Sequence, residues 1–84
     1  MILFWVEAAW GDYLYWQQTD KKLLKRINRL LKEITLHSFE GIGDPEPLKH
    51  NRSGYWSRRI DHEHRLVYKV TDKSILIVQC RYHY

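Results

Sequence analysis

The 84-residue sequence holds one cysteine, one methionine, two prolines and four glycines. Its lone thiol, Cys80, has no intrachain partner, so an internal disulfide framework is excluded. Within an apolar strand pattern it reads as a packing residue in a reducing, cytosolic compartment. Long hydrophobic runs are missing too. The longest covers residues 1–6, whereas a bilayer span takes about 20 apolar residues, and six are also too few for a secretion signal. Metal-ligand spacing occurs once, in His62-x-His64, without the further ligands that structural zinc takes. Gly41-Ile42-Gly43 lacks both a third glycine and a following Gly-Lys-Ser/Thr, so no nucleotide-phosphate fingerprint is present. There is no repeat, low-complexity tract or linker, and residues 1–84 are expected to form one domain.

What is present suffices for a core. Hydrophobic residues make up 44% and aromatics 14% of the chain, although a domain this small buries only about 60% of its unfolded surface. The formal charge is +4 and the pI about 9.3. That modest excess favours anionic partners; where the charge sits matters more.

Ile2, Phe4 and Val6 alternate with Leu3 and Trp5, a short strand with apolar residues on both sides. From Glu7 the spacing of Trp10, Tyr13 and Leu14 turns helical, with Gly11 weakening the helix by about 1 kcal/mol relative to alanine. Thr19-Asp20 reads as a break and a new N-cap. Leu23, Leu24, Ile27, Leu30, Leu31 and Ile34 then form one apolar stripe of a second helix. Its other face carries Lys21, Lys22, Lys25, Arg26, Arg29 and Lys32 against a single acid, Glu33. A solvated amphipathic helix and a set of phosphate contacts through Lys22, Lys25, Arg26 and Arg29 fit that face equally well.

The one real loop contains Pro45-Glu46-Pro47. Pro45 fixes its own φ and Pro47 pushes Glu46 into an extended conformation. A carboxylate on so stiff a backbone suits a catalytic base, and it also suits an ordinary surface turn. Asn51-Arg52-Ser53-Gly54 is a turn into Tyr55.

The last third holds three runs rich in β-branched and aromatic residues: Tyr55-Trp56-Ser57-Arg58-Arg59-Ile60, His64-Arg65-Leu66-Val67-Tyr68-Lys69-Val70, and a third from Ile75 onward. Polar turn residues separate them, which predicts an antiparallel meander. Alternation puts Leu66, Tyr68 and Val70 on one face, with Arg65, Val67 and Lys69 on the other. Extended through the third run, it places Leu76, Val78, Cys80 and Tyr82 in the core and Gln79, Arg81 and His83 opposite. Arg65 and His83 would then emerge together on the open side, as a phosphate site or as ordinary charges on a wet sheet face with a frayed tail.

Four of these motifs carry a family likeness. Pro45-Glu46-Pro47-Leu48-Lys49-His50, Ser57-Arg58-Arg59-Ile60, His64-Arg65-Leu66-Val67-Tyr68 and Arg81-Tyr82-His83-Tyr84 together closely resemble the YoeB toxins of the RelE/ParE superfamily. The likeness extends to the first strand and to residues 10–16, so it covers effectively the whole chain. It implies an α+β fold: an N-terminal strand, two helices, then an antiparallel meander, with the helices on one face of the sheet. It also implies a toxin of a type II toxin–antitoxin system. Such a toxin is a ribosome-dependent endoribonuclease that cuts messenger RNA in the decoding site and so inhibits translation.

Further expectations come with the likeness. By motif position Glu46 becomes the general base, Arg65 the transition-state cation and His83 the general acid, with Tyr84 positioning substrate. Lys49 and Arg59 lie near the scissile phosphate, and Arg81 joins the RNA contacts. No metal or other cofactor is implied. The expected partners are the ribosome with its mRNA, a partly disordered YefM-type antitoxin and a second copy of the chain; operator DNA is reached only through the antitoxin complex. The base assignment stays open between Glu46, His50 and His64. A non-enzymatic ParE-like toxin acting on gyrase, and an RNA-binding regulator, are the competing readings. Neither has reason to combine Glu46, Arg65, His83 and Tyr84.

Overall fold

The structure, a computed structural model, describes residues 1–83. In chain order it runs β1 (Ile2–Trp5), α1 (Glu7–Thr19), α2 (Lys21–Leu36), β2 (Glu46–Pro47), a 3-10 turn (His50–Arg52), β3 (Trp56–Arg59), β4 (Arg65–Val70) and β5 (Ser74–Gln79). The sheet order is β1-β5-β4-β3-β2. β2 to β5 are antiparallel, and β1 joins the edge parallel to β5. The expected meander and helix pair are therefore present. The pairing of β1, and a two-residue β2 where only a stiff loop was expected, are additions.

The break between the helices is made as expected. Asp20 accepts from the Leu23 amide at 3.0 Å, capping α2, while its own amide closes α1 on the Trp16 carbonyl. Ile27, Leu30, Leu31 and Ile34 of α2 are buried with Ala9 and Trp16 of α1 against Leu66, Tyr68, Ile75 and Ile77 of the sheet. Each fully buried aliphatic side chain contributes about 1.5–3 kcal/mol. Both helices thus cover one face of the sheet. Among the described residues no helix is long and apolar enough to cross a membrane.

β5 corrects the simple alternation. Ile75 and Ile77 are fully buried, whereas Leu76 and Val78 are only half-buried. The pairing explains why: Tyr68 lies opposite Ile77, yet Val67 lies opposite Gln79, so an extra residue is accommodated at Val78. Such a bulge flips the side-chain phase beyond it. Cys80 is consequently buried, as expected, although the residues two and four before it are not in the core; Tyr82, also expected there, is exposed because the strand ends at Gln79.

The loop between α2 and β2 is held from below by Arg58. Its side chain is fully buried and donates to the carbonyls of His37, Glu40 and Ile42. Arg59 donates its amide to the Gly43 carbonyl at 2.7 Å. Gly43 has φ +84°, and a Cβ there would press on Leu30 and on the backbone of Arg59. The chain therefore arrives at Pro45 in a fixed place.

Candidate active site

Glu46 occupies the edge strand β2. Pro45 and Pro47 keep it extended, as expected, and it pairs with Ser57 of β3, which pairs in turn with Val67 of β4. Residues opposite one another in antiparallel strands share a face. Two residues along, Arg59 pairs with Arg65. Glu46, Arg59 and Arg65 thus all belong to the face turned away from the helices. Two strand spacings and two residues put the Cα atoms of Glu46 and Arg65 about 12 Å apart.

Arg65 is less open than a wet-face residue. Its exposure is only 9%, and Nη1 donates to the carbonyls of Asp61 and His64 at 2.8 and 3.0 Å. The guanidinium is thereby fixed by its own turn. That turn is made rigid by Asp61, whose Oδ1 accepts from the amides of Glu63 and His64. Burial raises the Asp61 pKa, but those two amides and the nearby His64 and His62 outweigh it and hold the carboxyl below its usual range. Arg59 is more open, with a long contact of 3.9 Å to Asp44.

His83 is exposed and follows a firmly anchored segment. The Tyr82 carbonyl accepts from the Arg65 amide at 3.0 Å, so the chain leading to His83 runs beside the start of β4. Lys49 lines an open groove of 340 Å³ together with Glu46, His50 and Arg52. Arg52 also borders a neighbouring groove of 360 Å³ that reaches Gln79. Arg52 is thus shared by the groove beside Glu46 and the one beside Gln79.

Comparison with known proteins identifies the lineage. The model of the YoeB-like toxin of bacterial type II toxin-antitoxin systems matches residues 5–84. The chain belongs to the YoeB toxin family. It is 64% identical to Toxin YoeB of Escherichia coli strain K12 over 84 residues, with both chains fully covered. Its fold matches a YoeB dimer from Staphylococcus aureus with a TM-score of 0.94 at 54% identity, over 100% of this chain and 98% of that one. A heterotetrameric YoeB-YefM toxin-antitoxin complex from the same organism gives 0.93 at 54% identity with the same coverage.

The other expected residues, the basic ones of α2 read from charge alone and the Arg81 and Tyr84 of the YoeB likeness, are not all gathered there. Lys22 and Arg26 line a small groove of 260 Å³ with Asp20, Ile60 and Asp61, and Arg26 Nη2 donates to the Arg59 carbonyl at 3.4 Å. Lys25 and Arg29 are exposed on α2, on the helical side of the sheet away from Glu46. Arg81 departs from the expected open face. β5 has ended at Gln79, and the guanidinium lies 3.6 Å from the Tyr15 ring centroid of α1 and 4.6 Å from that of Tyr82. Tyr84, the expected substrate-positioning residue, lies outside the described residues. Among these residues no group of three or more His, Cys, Asp or Glu could hold a metal ion.

Three residues that hold this segment were missed: Asp12, Gln79 and His64. Asp12 Oδ2 accepts from the Cys80 amide at 3.2 Å, and Gln79 Nε2 donates to the carbonyls of Arg81 and Tyr82. Burial pushes the Asp12 carboxyl up, against the opposing pull of the Cys80 amide, Arg81 and His64. His64 is buried, with Nδ1 engaged by the Tyr82 amide. A signal for it existed: counting back by two from Leu66 and Tyr68 places it on the core face.

Proposed function

We propose that the protein is a ribosome-dependent messenger-RNA endoribonuclease and the toxin of a type II toxin–antitoxin pair. The observation that carries this reading is the strand register that sets Glu46, Arg59 and Arg65 on one face, together with the Tyr82–Arg65 backbone bond that brings the tail alongside. A pure binding protein has no need of a base, a buried cation and an imidazole on one surface.

The chemistry needs no metal. Glu46 takes the proton of a ribose 2′-hydroxyl, and that oxygen attacks the adjacent phosphorus. The bond from phosphorus to the 5′-oxygen breaks, and His83 supplies the proton that the leaving oxygen requires. Products are a 2′,3′-cyclic phosphate and a 5′-hydroxyl. Arg65, with Arg59 and Lys49 nearby, offsets the negative charge that develops on the phosphoryl oxygens. Tyr84 positions the substrate. Glu46 is favoured over His64 as base because His64 is buried with Nδ1 already bonded, and over His50 because the two prolines fix its backbone.

A carboxylate is a weak base at neutral pH, so proton transfer alone gives a modest acceleration. Holding the mRNA for in-line attack can supply about 7–11 kcal/mol, and the ribosome's decoding site is the host that does so. The basic residues Lys22, Lys25, Arg26 and Arg29, with Arg81, add phosphate contacts that orient without reading sequence. The YoeB dimer and the YoeB-YefM heterotetramer of Staphylococcus aureus support two protein partners, a second copy and a YefM-like antitoxin. Operator DNA is reached only through that antitoxin complex, and action in the cytoplasm follows from the ribosomal target.

The test is primer extension on mRNA from translating ribosomes treated with the wild-type chain, Glu46→Ala or His83→Ala. Discrete new ends with wild type alone support the reading. Translation arrest without new ends points instead to a binding toxin of the ParE kind.

A further inference from the structure

The segment before His83 is bound at nearly every backbone polar group. Asp12 accepts from the Cys80 amide, Trp16 Nε1 donates to the Cys80 carbonyl at 2.8 Å, and Gln79 donates to the carbonyls of Arg81 and Tyr82. Tyr82 itself has φ +65°, a left-handed conformation that a bulky side chain adopts only under constraint. The constraint comes from two consecutive residues. The Tyr82 amide donates to His64 Nδ1 at 2.7 Å, and the Tyr82 carbonyl accepts from the Arg65 amide at 3.0 Å.

We propose that His64 is a positioning residue that sets the place of His83 relative to Arg65. This rests on the nuclease reading, in which Arg65 and His83 act on one phosphodiester. His64 touches neither substrate nor the reacting atoms. It works through the backbone of Tyr82, one residue before the acid and bonded to the amide of the cation-bearing residue. Loss of the Nδ1 acceptor frees the Tyr82 peptide and lets the imidazole of His83 drift from the phosphate.

The imidazole is well placed for this. Nδ1 is an acceptor, so the ring proton sits on Nε2, 3.6 Å from Glu63 Oε1. The Trp16 ring stands edge-on at 4.7 Å and the Tyr82 ring at 5.9 Å, fixing the plane. Other charged groups around it are Asp61, which accepts from its amide, and Asp12 on α1, with Arg81 beyond. Protonation would turn Nδ1 into a donor facing a donor, so the clamp requires the neutral ring.

Three variants separate this role from simple packing. His64→Asn keeps an acceptor at the position of Nδ1; His64→Gln moves it outward; His64→Leu removes it and keeps the bulk. In the free, full-length chain, Tyr82 amide exchange read by NMR should be slow in wild type and His64→Asn. It should be faster by about tenfold or more in the other two, the signature of local opening. On programmed ribosomes, His64→Gln and His64→Leu should lower kcat by about 100-fold with KM changed less than about twofold, the penalty of a roughly 1 Å misplacement. His64→Asn should restore turnover to within about threefold of wild type, because it keeps the acceptor that orients the peptide. Should His64→Leu not fold, His64→Gln carries the comparison. Unchanged Tyr82 exchange, or wild-type kcat, in both His64→Gln and His64→Leu would overturn the proposal. If the wild-type chain cleaves no mRNA, the nuclease reading fails by itself, and the exchange comparison alone decides whether His64 clamps the tail.

Discussion

Arg58 Nε donates to the Tyr68 hydroxyl at 3.1 Å across neighbouring strands, and both side chains are fully buried. The hydroxyl passes the bond on to the Ser38 carbonyl at 2.9 Å, while the rest of the guanidinium takes the carbonyls of His37, Glu40 and Ile42. Among the described residues no carboxylate is bonded to this buried cation; oriented peptide dipoles and the Tyr68 ring, 5.9 Å away, compensate it. The pair ties the sheet to the loop that delivers Glu46.

Tyr68→Phe should therefore leave Arg58 Nε and the Ser38 carbonyl without this partner, at about 1–3 kcal/mol. Arg58→Lys should be worse, about 3–5 kcal/mol, since one ammonium cannot span three carbonyls and a buried charge is left poorly compensated. Urea unfolding at pH 7 checks both. A lowered midpoint with unchanged m-value is the expected result.

Cys80 should behave as an inert thiol. Burial, with the Asp12 carboxylate beside it, pushes its pKa from 9.0 up to about 12. Below about pH 9 folded and unfolded chains both keep the proton. Between there and about pH 12 the unfolded chain loses it first, so stability falls as pH rises, by at most about 1.4 kcal/mol per unit. Cys80→Ala should remove this part of the alkaline decline. Iodoacetamide at pH 8 should label the native chain far more slowly than the chain in denaturant.

Asp61 acts on the acid side. Its folded pKa is lowered below 3.8, so its contribution is full above that value and fades as pH falls through the folded pKa. Asp61→Ala should flatten this part of the acid limb of stability. It should also loosen the turn that fixes Arg65, so that turnover drops even at pH 7. Denaturation midpoints between pH 2 and 7, set beside cleavage rates, check both effects.

Periodicity was enough for most of the architecture. The α2 stripe from Leu23 to Ile34, the Asp20 cap and the three late strands are all visible as spacing. The facing of β5 was not, because Ile75-Leu76-Ile77-Val78 is apolar on both faces and alternation has no phase to lock onto; only pairing with Tyr68 and Val67 reveals the bulge. Arg81 was misplaced for a different reason: strand alternation was carried past Gln79, where the strand ends. The parallel seat of β1 beside β5 depends on contacts about 70 residues apart in sequence, which no local pattern encodes. At the candidate site, the prolines around Glu46 announced a fixed carboxylate. The burial of Arg65 and the His64–Tyr82 bond depend on how the turn and tail fold back.

Arg65 allows a test of charge stabilisation. Arg65→Lys keeps the charge but gives up the fork that holds the turn and that the proposed mechanism turns to the phosphate. The expected loss in kcat is about 100- to 1000-fold, as for removal of a transition-state donor. A 2′-deoxy sugar at the scissile nucleotide should abolish cleavage by the wild-type chain while ribosome binding persists. Single-turnover rates on programmed ribosomes give both values.

The central claim is that Glu46 and His83 serve opposite ends of one phosphodiester. Single-turnover cleavage of an mRNA carrying sulfur in place of the scissile 5′-oxygen tests it most directly, because a thiolate leaves without a proton. The account predicts that His83→Ala regains most of its rate on this substrate and that Glu46→Ala does not. Equal rescue of both variants, or of neither, would contradict it.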